Sequence, residues 1–331
     1  MPILARLARL LPCLLVLAVL AWAAPARAAG TGYPARPVQI VVPAEPGGGI
    51  DQVARWLARG LGERFAQPFV VVNRPGASGM IGAASVARAD ADGHTLLLTG
   101  VGHLVSPTLH RSPGYDPRAD FAPVARIATS PNVLVAHASV GAGGLPALLG
   151  DARSRDGRLA YASAGFGHSS HLAAELFMER TGGRWLHVPY PGTNPALRAL
   201  VAGEVQLMFV PSGSVRTVLA GGGVRALAVA HGRRLPTLPQ VPTLAELGIR
   251  GADFSQWYGL FAPDGVPDGI AAVLQAAVIG LVNDDAQADP MRALGVEPAP
   301  MSRTDFAAFL DAQSKQLRAL LARLHVDRPV Q

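Results

Sequence analysis

Cysteine and lysine are all but missing from this sequence: Cys13 is the single cysteine and Lys315 the single lysine. With one thiol, placed so early, there is no disulfide framework, no zinc–thiolate site and no thiol nucleophile to build on. A chain of this length needs no disulfides, because its core can be large enough without them. Without a lysine after a glycine run there is no P-loop for nucleotide phosphates. Charge of either sign is thin, and the formal net charge is +6. The arginines are scattered, with no basic run interleaved with aromatics, so nucleic acid is not an expected partner.

The N-terminus carries the first positive signal. Arg6 and Arg9 precede an almost wholly apolar run from Leu10 to Ala24, and Ala26-Arg27-Ala28 follows it. This order reads as a secretory signal spanning residues 1–28, cut after Ala28. The apolar run falls short of the roughly 18–20 residues of a spanning helix, and no later stretch reaches that length. Cys13 lies too early in it for lipoprotein acylation. Cleavage would remove three arginines, leaving a mildly basic chain that attracts anions only weakly.

From Tyr33 onward, short apolar runs alternate with helix-like segments. Val38–Val42, Phe69–Asn73, Thr95–Thr99 and Val133–Ala136 read as strands. A helix over 51–60 places Val53, Ala54 and Leu57 on one face, with Asp51 where an N-cap would stand. Residues 81–89 read as a second helix. A second round follows: strands at 159–162, 185–188, 205–210 and 224–230, with a helix at 168–181. A strand at 255–262 and helices at 270–282 and 305–324 close the chain. This alternation predicts an α/β fold of parallel βαβ units, arranged as two similar halves.

Two strand–loop–helix units stand out for chemistry. One is Val42-Pro43-Ala44-Glu45-Pro46-Gly47-Gly48-Gly49-Ile50-Asp51; the other runs from Tyr161 through Ser163, Gly165, Gly167, His168 and Ser169 to His171. In both, glycines allow close backbone approach and a helix N-terminus offers unpaired N–H groups with a positive dipole end. Such termini hold anions without a charged side chain. Facing each other at the carboxyl ends of parallel strands, they would grip a small carboxylate.

Enzymatic alternatives fit less well. A dinucleotide fold wants G-x-G-x-x-G and an acid closing the second strand, whereas here the loop is Gly47-Gly48-Gly49 and that strand ends in Asn73. Ser169 and His171 could serve a secreted hydrolase, but histidine stands where a nucleophile elbow has its last glycine. His168 and His171 are one turn apart with no third ligand in view, so no metal and no cofactor is expected.

In order along the chain, many short motifs resemble one family. They are Tyr33-Pro34, Pro37-Val38, Val42-Pro43, Pro46-Gly47-Gly48 with Asp51, Asn73-Arg74-Pro75-Gly76-Ala77, Ile81-Gly82-Ala83 and Asp92-Gly93-His94-Thr95-Leu96. Tyr115-Asp116-Pro117, Asp120-Phe121-Ala122-Pro123-Val124, His187-Val188-Pro189-Tyr190, Arg225-Ala226-Leu227-Ala228-Val229, Val241-Pro242-Thr243, Trp257-Tyr258-Gly259 and Ala262-Pro263 continue them. The sequence resembles the Bug-type receptors, the extracytoplasmic solute-binding proteins of tripartite tricarboxylate transporters.

That resemblance implies a two-domain periplasmic binding protein of type II-like architecture, its ligand cleft between domains joined by crossing strands. The expected division is 33–130 plus 251–331 for domain I and 131–250 for domain II. It implies a monomer in the periplasm that captures an organic carboxylate (an amino acid, a di- or a tricarboxylate) for a permease of two integral membrane subunits. A receptor feeding a membrane signalling protein is the alternative of the same class. The expected ligand-binding set is Ala44, Glu45, Pro46, Gly47, Gly48, Gly49, Asn73, Thr99, Ser163, Gly165, Gly167, His168, Ser169 and Pro211.

The sequence departs from the family pattern in places. Ala44 and Glu45 stand where an aromatic and a proline are usual, Gln206 replaces a common acid, and Val210-Pro211 lacks the acid often found there. Were Glu45 to face the cleft, it would repel a second anionic group and favour an amine-bearing ligand.

Overall fold

The computed structural model describes residues 32–324, apart from 111, 141 and 155–158. The expected signal segment and Cys13 lie outside the described residues. In chain order the first βα series is β1 (Val38–Val42), α1 (Gly49–Phe65), β2 (Phe69–Asn73), a 3-10 turn (Ala77–Gly79), α2 (Met80–Ala87), β3 (Thr95–Thr99) and α3 (Gly102–Leu109). The long strand β4 (Phe121–His137) and α4 (Gly144–Ser154) lead to the second series. It comprises β5 (Ala160–Ser163), α5 (Ser169–Thr181), β6 (Leu186–Pro189), α6 (Thr193–Ala202), β7 (Leu207–Pro211), α7 (Ser212–Ala220) and β8 (Val224–Ala230). Then β9 (Ser255–Pro263), α8 (Asp268–Asn283), α9 (Asp285–Ala293), β10 (Glu297–Met301) and α10 (Arg303–Arg323) complete the chain.

The strands follow the order β2-β1-β3-β9-β4-β7-β5-β6, with β10 and β8 also paired to β4. β1 is parallel to β2 and β3, and β5 is parallel to β6 and β7. Two such parallel trios are what two rounds of βαβ produce. The strands β4 and β9 run antiparallel and connect them. β4 pairs with β9 from Phe121 to Pro131, then with β7 and β8 from Asn132 to His137. One strand is therefore shared by both halves of the sheet, and the partner change falls at Pro131/Asn132.

Strand β4 is longer than the run 133–136 read from the sequence. Pro123 and Pro131 discourage a strand assignment, because proline lacks the amide that a ladder needs. The structure accommodates Pro123 at a register shift between Pro123 and Ala125. Proline likewise obscured β10, whose Glu297-Pro298-Ala299-Pro300-Met301 pairs irregularly with β4, and α3 and α9, which hold Pro107 and Pro290. Asp51 is not an N-cap: α1 begins at Gly49 with Gly48 as its cap residue.

Apolar faces cover the sheet. In the first half Val41, Leu97, Val105, Trp257, Phe261 and Phe306 share one cluster. In the second, Leu134, Tyr161, Phe177, Phe209 and Ala228 pack on one face, and Val133, Ala162, Leu200, Met208 and Val229 on the other. Helix α10 reaches both halves: Phe306 and Leu317 join the first cluster, while Leu320 joins the second. Phe306 is fully buried, packs edge-on against Trp257 at 5.7 Å and covers Gly259 of β9. Phe306→Ala is expected to lower stability by about 3–5 kcal/mol, read from denaturant unfolding; a loss below about 1 kcal/mol would show that α10 is not a structural strap.

Candidate functional site

Loop one connects β1 to α1, and its shape rests on Asp51. This carboxylate is 2 % exposed. Its Oδ2 accepts the Gly47 amide at 2.8 Å and Arg55 Nε at 2.8 Å. Its Oδ1 accepts Asn73 Nδ2 at 2.9 Å and Arg55 Nη2 at 3.1 Å. Asn73 Nδ2 also reaches the Ala44 carbonyl at 3.1 Å. One residue of the helix's first turn thus ties the loop, the helix and the end of β2 together. Gly47 has φ 82°, which favours glycine. A Cβ on Gly49 would lie 2.8 Å from the Tyr258 hydroxyl, so that position has no room for one. Burial pushes the Asp51 carboxyl up, but Arg55, the Gly47 amide and Asn73 outweigh it and hold its pKa below the usual value.

Loop two connects β5 to α5 and rests on neutral groups. Ser163, fully buried, contacts His187 Nε2 at 2.6 Å and donates to the Gly165 carbonyl at 3.2 Å. The Ala164 amide donates to Ser170 Oγ at 3.0 Å, and the Gly167 amide to His171 Nδ1 at 3.1 Å. Because Nδ1 accepts, His171 carries its proton on Nε2, which lies 3.9 Å from Glu175 Oε1. Tyr161 donates to the same Glu175 oxygen at 2.5 Å. The rings of His171 and His187 stack at 4.2 Å, and those of His187 and Tyr161 at 4.8 Å. Burial holds His171 down to about 3, aided by His187 and His168, and holds His187 and His168 down to about 4. A buried neutral stack therefore supports this loop.

The two loops face each other across a cleft of about 200 Å³. Pro43, Ala44 and the segment Pro75–Gly79 line it on one side, and Ala164–Phe166, His168 and Pro189–Gly192 on the other. A narrow deeper end is lined by Thr99, Gly100, His103, Tyr115, His168 and Gln256. At about 30 Å³ per water this volume holds some seven waters, or one small organic acid. No aspartate, glutamate, lysine or arginine lines either part. His103 is kept neutral as well, at about 3, by burial that hydrogen bonding and the Asp116 charge offset only in part. An anion would thus meet neutral donors and the first turns of α1 and α5. Wider open grooves, one of about 710 Å³ beside Trp257 and α10 and one of about 640 Å³ beside Tyr115, contain neither loop.

The expected residues are distributed unevenly around this cleft. Ala44, Thr99, Gly165 and His168 line it. Asn73 belongs to the Asp51 brace, and Ser163 faces His187. The amides of Gly47 and Gly167 are already engaged by Asp51 and His171. Gly48 and Gly49 start α1. Glu45 and Pro46 lie outside the lining, with Glu45 against Gly192. Ser169 opens α5 and is buried; Pro211 is buried opposite Asn132. The hydrolase pair does not form, since His171 serves Gly167 and Glu175 and makes no bond to Ser169. Among the described residues no group of three His, Cys, Asp or Glu side chains gathers to hold a metal.

Sequence reasoning takes Arg74–Gly79 as a turn but not as a part of the site, and Pro75–Gly79 forms much of the first wall. Its backbone is unusual: Ala77 has φ 47° and Ser78 φ 53°, left-handed values that non-glycine residues seldom adopt. Ser78 also accepts Ser106 Oγ on its carbonyl at 3.2 Å. The available signal was Arg74-Pro75-Gly76 directly after a strand, at the same sheet end as loop one. Gln256, 6 % exposed, was missed because a strand interior gives no hint of which face meets a cleft.

Known proteins resemble this chain along most of its length. The sequence model described as "Tripartite tricarboxylate transporter family receptor" matches residues 53–326. The protein BugT of Bordetella pertussis is 36% identical over 268 residues, covering 80% of this chain and 82% of that one. A solved R. palustris structure with adipate is 35% identical, with a TM-score of 0.87, covering 90% of this chain and 100% of that one. MatC from Rhodopseudomonas palustris, solved with bound malate, is 32% identical, with a TM-score of 0.80 over 87% of this chain and 100% of that one.

The buried imidazoles make acid stability a direct test. His103, His168, His171 and His187 protonate near 6.5 when unfolded but only near 3–4 when folded. Stability is therefore full above about pH 6.5 and falls as pH drops towards 4. Asp51 adds a loss only below its unfolded value of 3.8, as pH falls through its lower folded pKa. Glu175, raised by burial against the bond from Tyr161, acts in the opposite direction above about 4.5, one group against four. Calorimetric melting temperature should drop steadily from pH 6.5 to 4, with a shallower slope in His171→Gln. A flat profile would contradict the neutral stack.

Proposed function

The chain belongs to the tripartite tricarboxylate transporter receptor family, and from that premise we propose that it captures a small organic carboxylate in the cleft between loops one and two and presents it to a two-subunit membrane permease. It is an α/β periplasmic binding protein, extracytoplasmic and not an enzyme. The observation that carries the ligand reading is the pair of strand–loop–helix units, one from each parallel trio, opposed across a cleft with an uncharged lining. Adipate and malate in the solved relatives support the same ligand class. The working form is a monomer, released to the periplasm after cleavage at Ala28.

Binding is physical capture. The ligand carboxylate takes free amides at the first turns of α1 and α5, with the Thr99 hydroxyl at the deeper end. Ser163 and the Gly47 and Gly167 amides shape the loops instead, because their hydrogen-bonding capacity is already used. Each charge-assisted hydrogen bond contributes about 1.5–3 kcal/mol. A handful supports micromolar affinity after ordering costs. A division into 33–130 plus 251–331 and 131–250 places the hinge where β4 changes partners, at Pro131/Asn132, and where β9 begins at Ser255. Contacts to both lobes give the ligand higher affinity for the closed form, and that difference drives closure.

A thermal-shift screen of amino acids and di- and tricarboxylates tests this reading, with mass spectrometry of whatever co-purifies. A ligand at a hundredfold excess over its Kd stabilises by about 2.7 kcal/mol, a rise of several degrees without turnover. Turnover of the acid, or stabilisation by uncharged compounds alone, would overturn it.

A further inference from the structure

At the rim of the cleft, where Gly192 ends its lining, loop one touches the second half of the molecule directly. Asn194 Nδ2, in the first turn of α6, donates to the Pro46 carbonyl at 2.9 Å. The same nitrogen lies 3.2 Å from where a Cβ on Gly47 would stand. Beside it, Glu45 packs its Cγ 3.8 Å from the Cβ position of Gly192, the cap residue of α6. Gly192 has φ 138° and is buried under this contact, so the position takes no side chain without strain. The N-terminus of α6 has no side-chain cap of its own. A carboxylate arriving one bond beyond Glu45 Cγ suits that positive end.

We infer that Glu45 and Pro46 on loop one, gripped by Gly192 and Asn194 at the start of α6, form a clasp that favours the closed form and sets affinity through closure, not through ligand contact. The inference rests on the reading that closure captures the ligand. The clasp joins the halves through direct protein contacts, and Glu45, Pro46 and Asn194 are all absent from the cleft lining. Free energy that favours the closed form adds equally to the binding of every ligand that needs it. Glu45 is then a positioning residue, and the amine selectivity expected of a cleft-facing carboxylate does not follow.

The mature chain would hold no cysteine, which permits clean spin labelling. Val70→Cys on β2 and Leu186→Cys on β6 place labels at exposed sites on the outer strands of the two halves. Pulsed dipolar distances are then measured on the empty full-length mature chain, with and without Asn194→Ala, Glu45→Ala and the pair together. The parent should give one short distance and the variants an added longer population, returned to the short one by saturating carboxylate. Isothermal titration with adipate and malate should show Kd raised by one common factor, about three- to tenfold, the worth of one hydrogen bond.

Unchanged empty-state distances in the double variant would overturn the clasp, as would factors that differ between the two acids, since these mark direct ligand contact. Asn194→Asp, which keeps the side chain's size and removes its donor, repeats the test should Asn194→Ala unfold. If no carboxylate binds the parent, the ligand reading fails alone, because the empty-state distances still decide the clasp.

Discussion

Everything in the first half of the site depends on the Asp51 carboxylate. It is buried, it accepts four hydrogen bonds, and its donors come from three places: loop one, helix α1 and the end of β2. A buried carboxylate is costly unless it is paired and hydrogen-bonded. Arg55 supplies the charge, and Asn73 and the Gly47 amide fill the remaining acceptor sites. The loop is therefore stiff before any ligand arrives. That stiffness matters for binding, because a loop already ordered loses less entropy on capture. It also has a consequence for chemistry: a strong anion inside the protein uses up the Gly47 amide that a ligand would otherwise take.

Loop two reaches the same result by a different route. Its amides are satisfied by Ser170 and His171, and Ser163 is held by His187. These partners are neutral, stacked and buried, so the wall adds no fixed charge to the cleft. One loop is braced by a fully paired ion and the other by uncharged rings. The cleft lining therefore carries no guanidinium or ammonium.

The sequence made the architecture legible because its signals were local. Short apolar strands between helical segments predicted the two parallel trios, and glycine runs at strand ends marked both loops. What it concealed was non-local. Asp51 reads from the sequence as a helix N-cap, and nothing along the chain says that its carboxylate turns back to Gly47 and across to Asn73. His187 is nineteen residues beyond His168, on strand β6, yet it supports the same loop. The Pro75–Gly79 wall was visible as a turn but not as a wall, because its place depends on β2 lying next to β1. Strands β4 and β10 hid behind their prolines, which the structure tolerates at register shifts.

Strand β9, which lies between β3 and the shared strand β4, shows how the halves and the cleft are connected. Side chains alternate along a strand, so neighbours point to opposite faces. Gln256 reaches the deeper end of the cleft, where it stands over Gly100. Trp257, next in line, points the other way, onto Phe306 and Phe309 of α10. Tyr258 returns to the cleft side and closes over Gly49 at the start of α1. Three consecutive residues thus contact the ligand chamber, the helix that spans both halves, and the helix terminus of loop one. Gln256, Trp257 and Tyr258 are all buried on one strand, so a rotation about β9 moves all three contacts together. The packing that stabilises the fold is therefore the same packing that would transmit closure to the cleft.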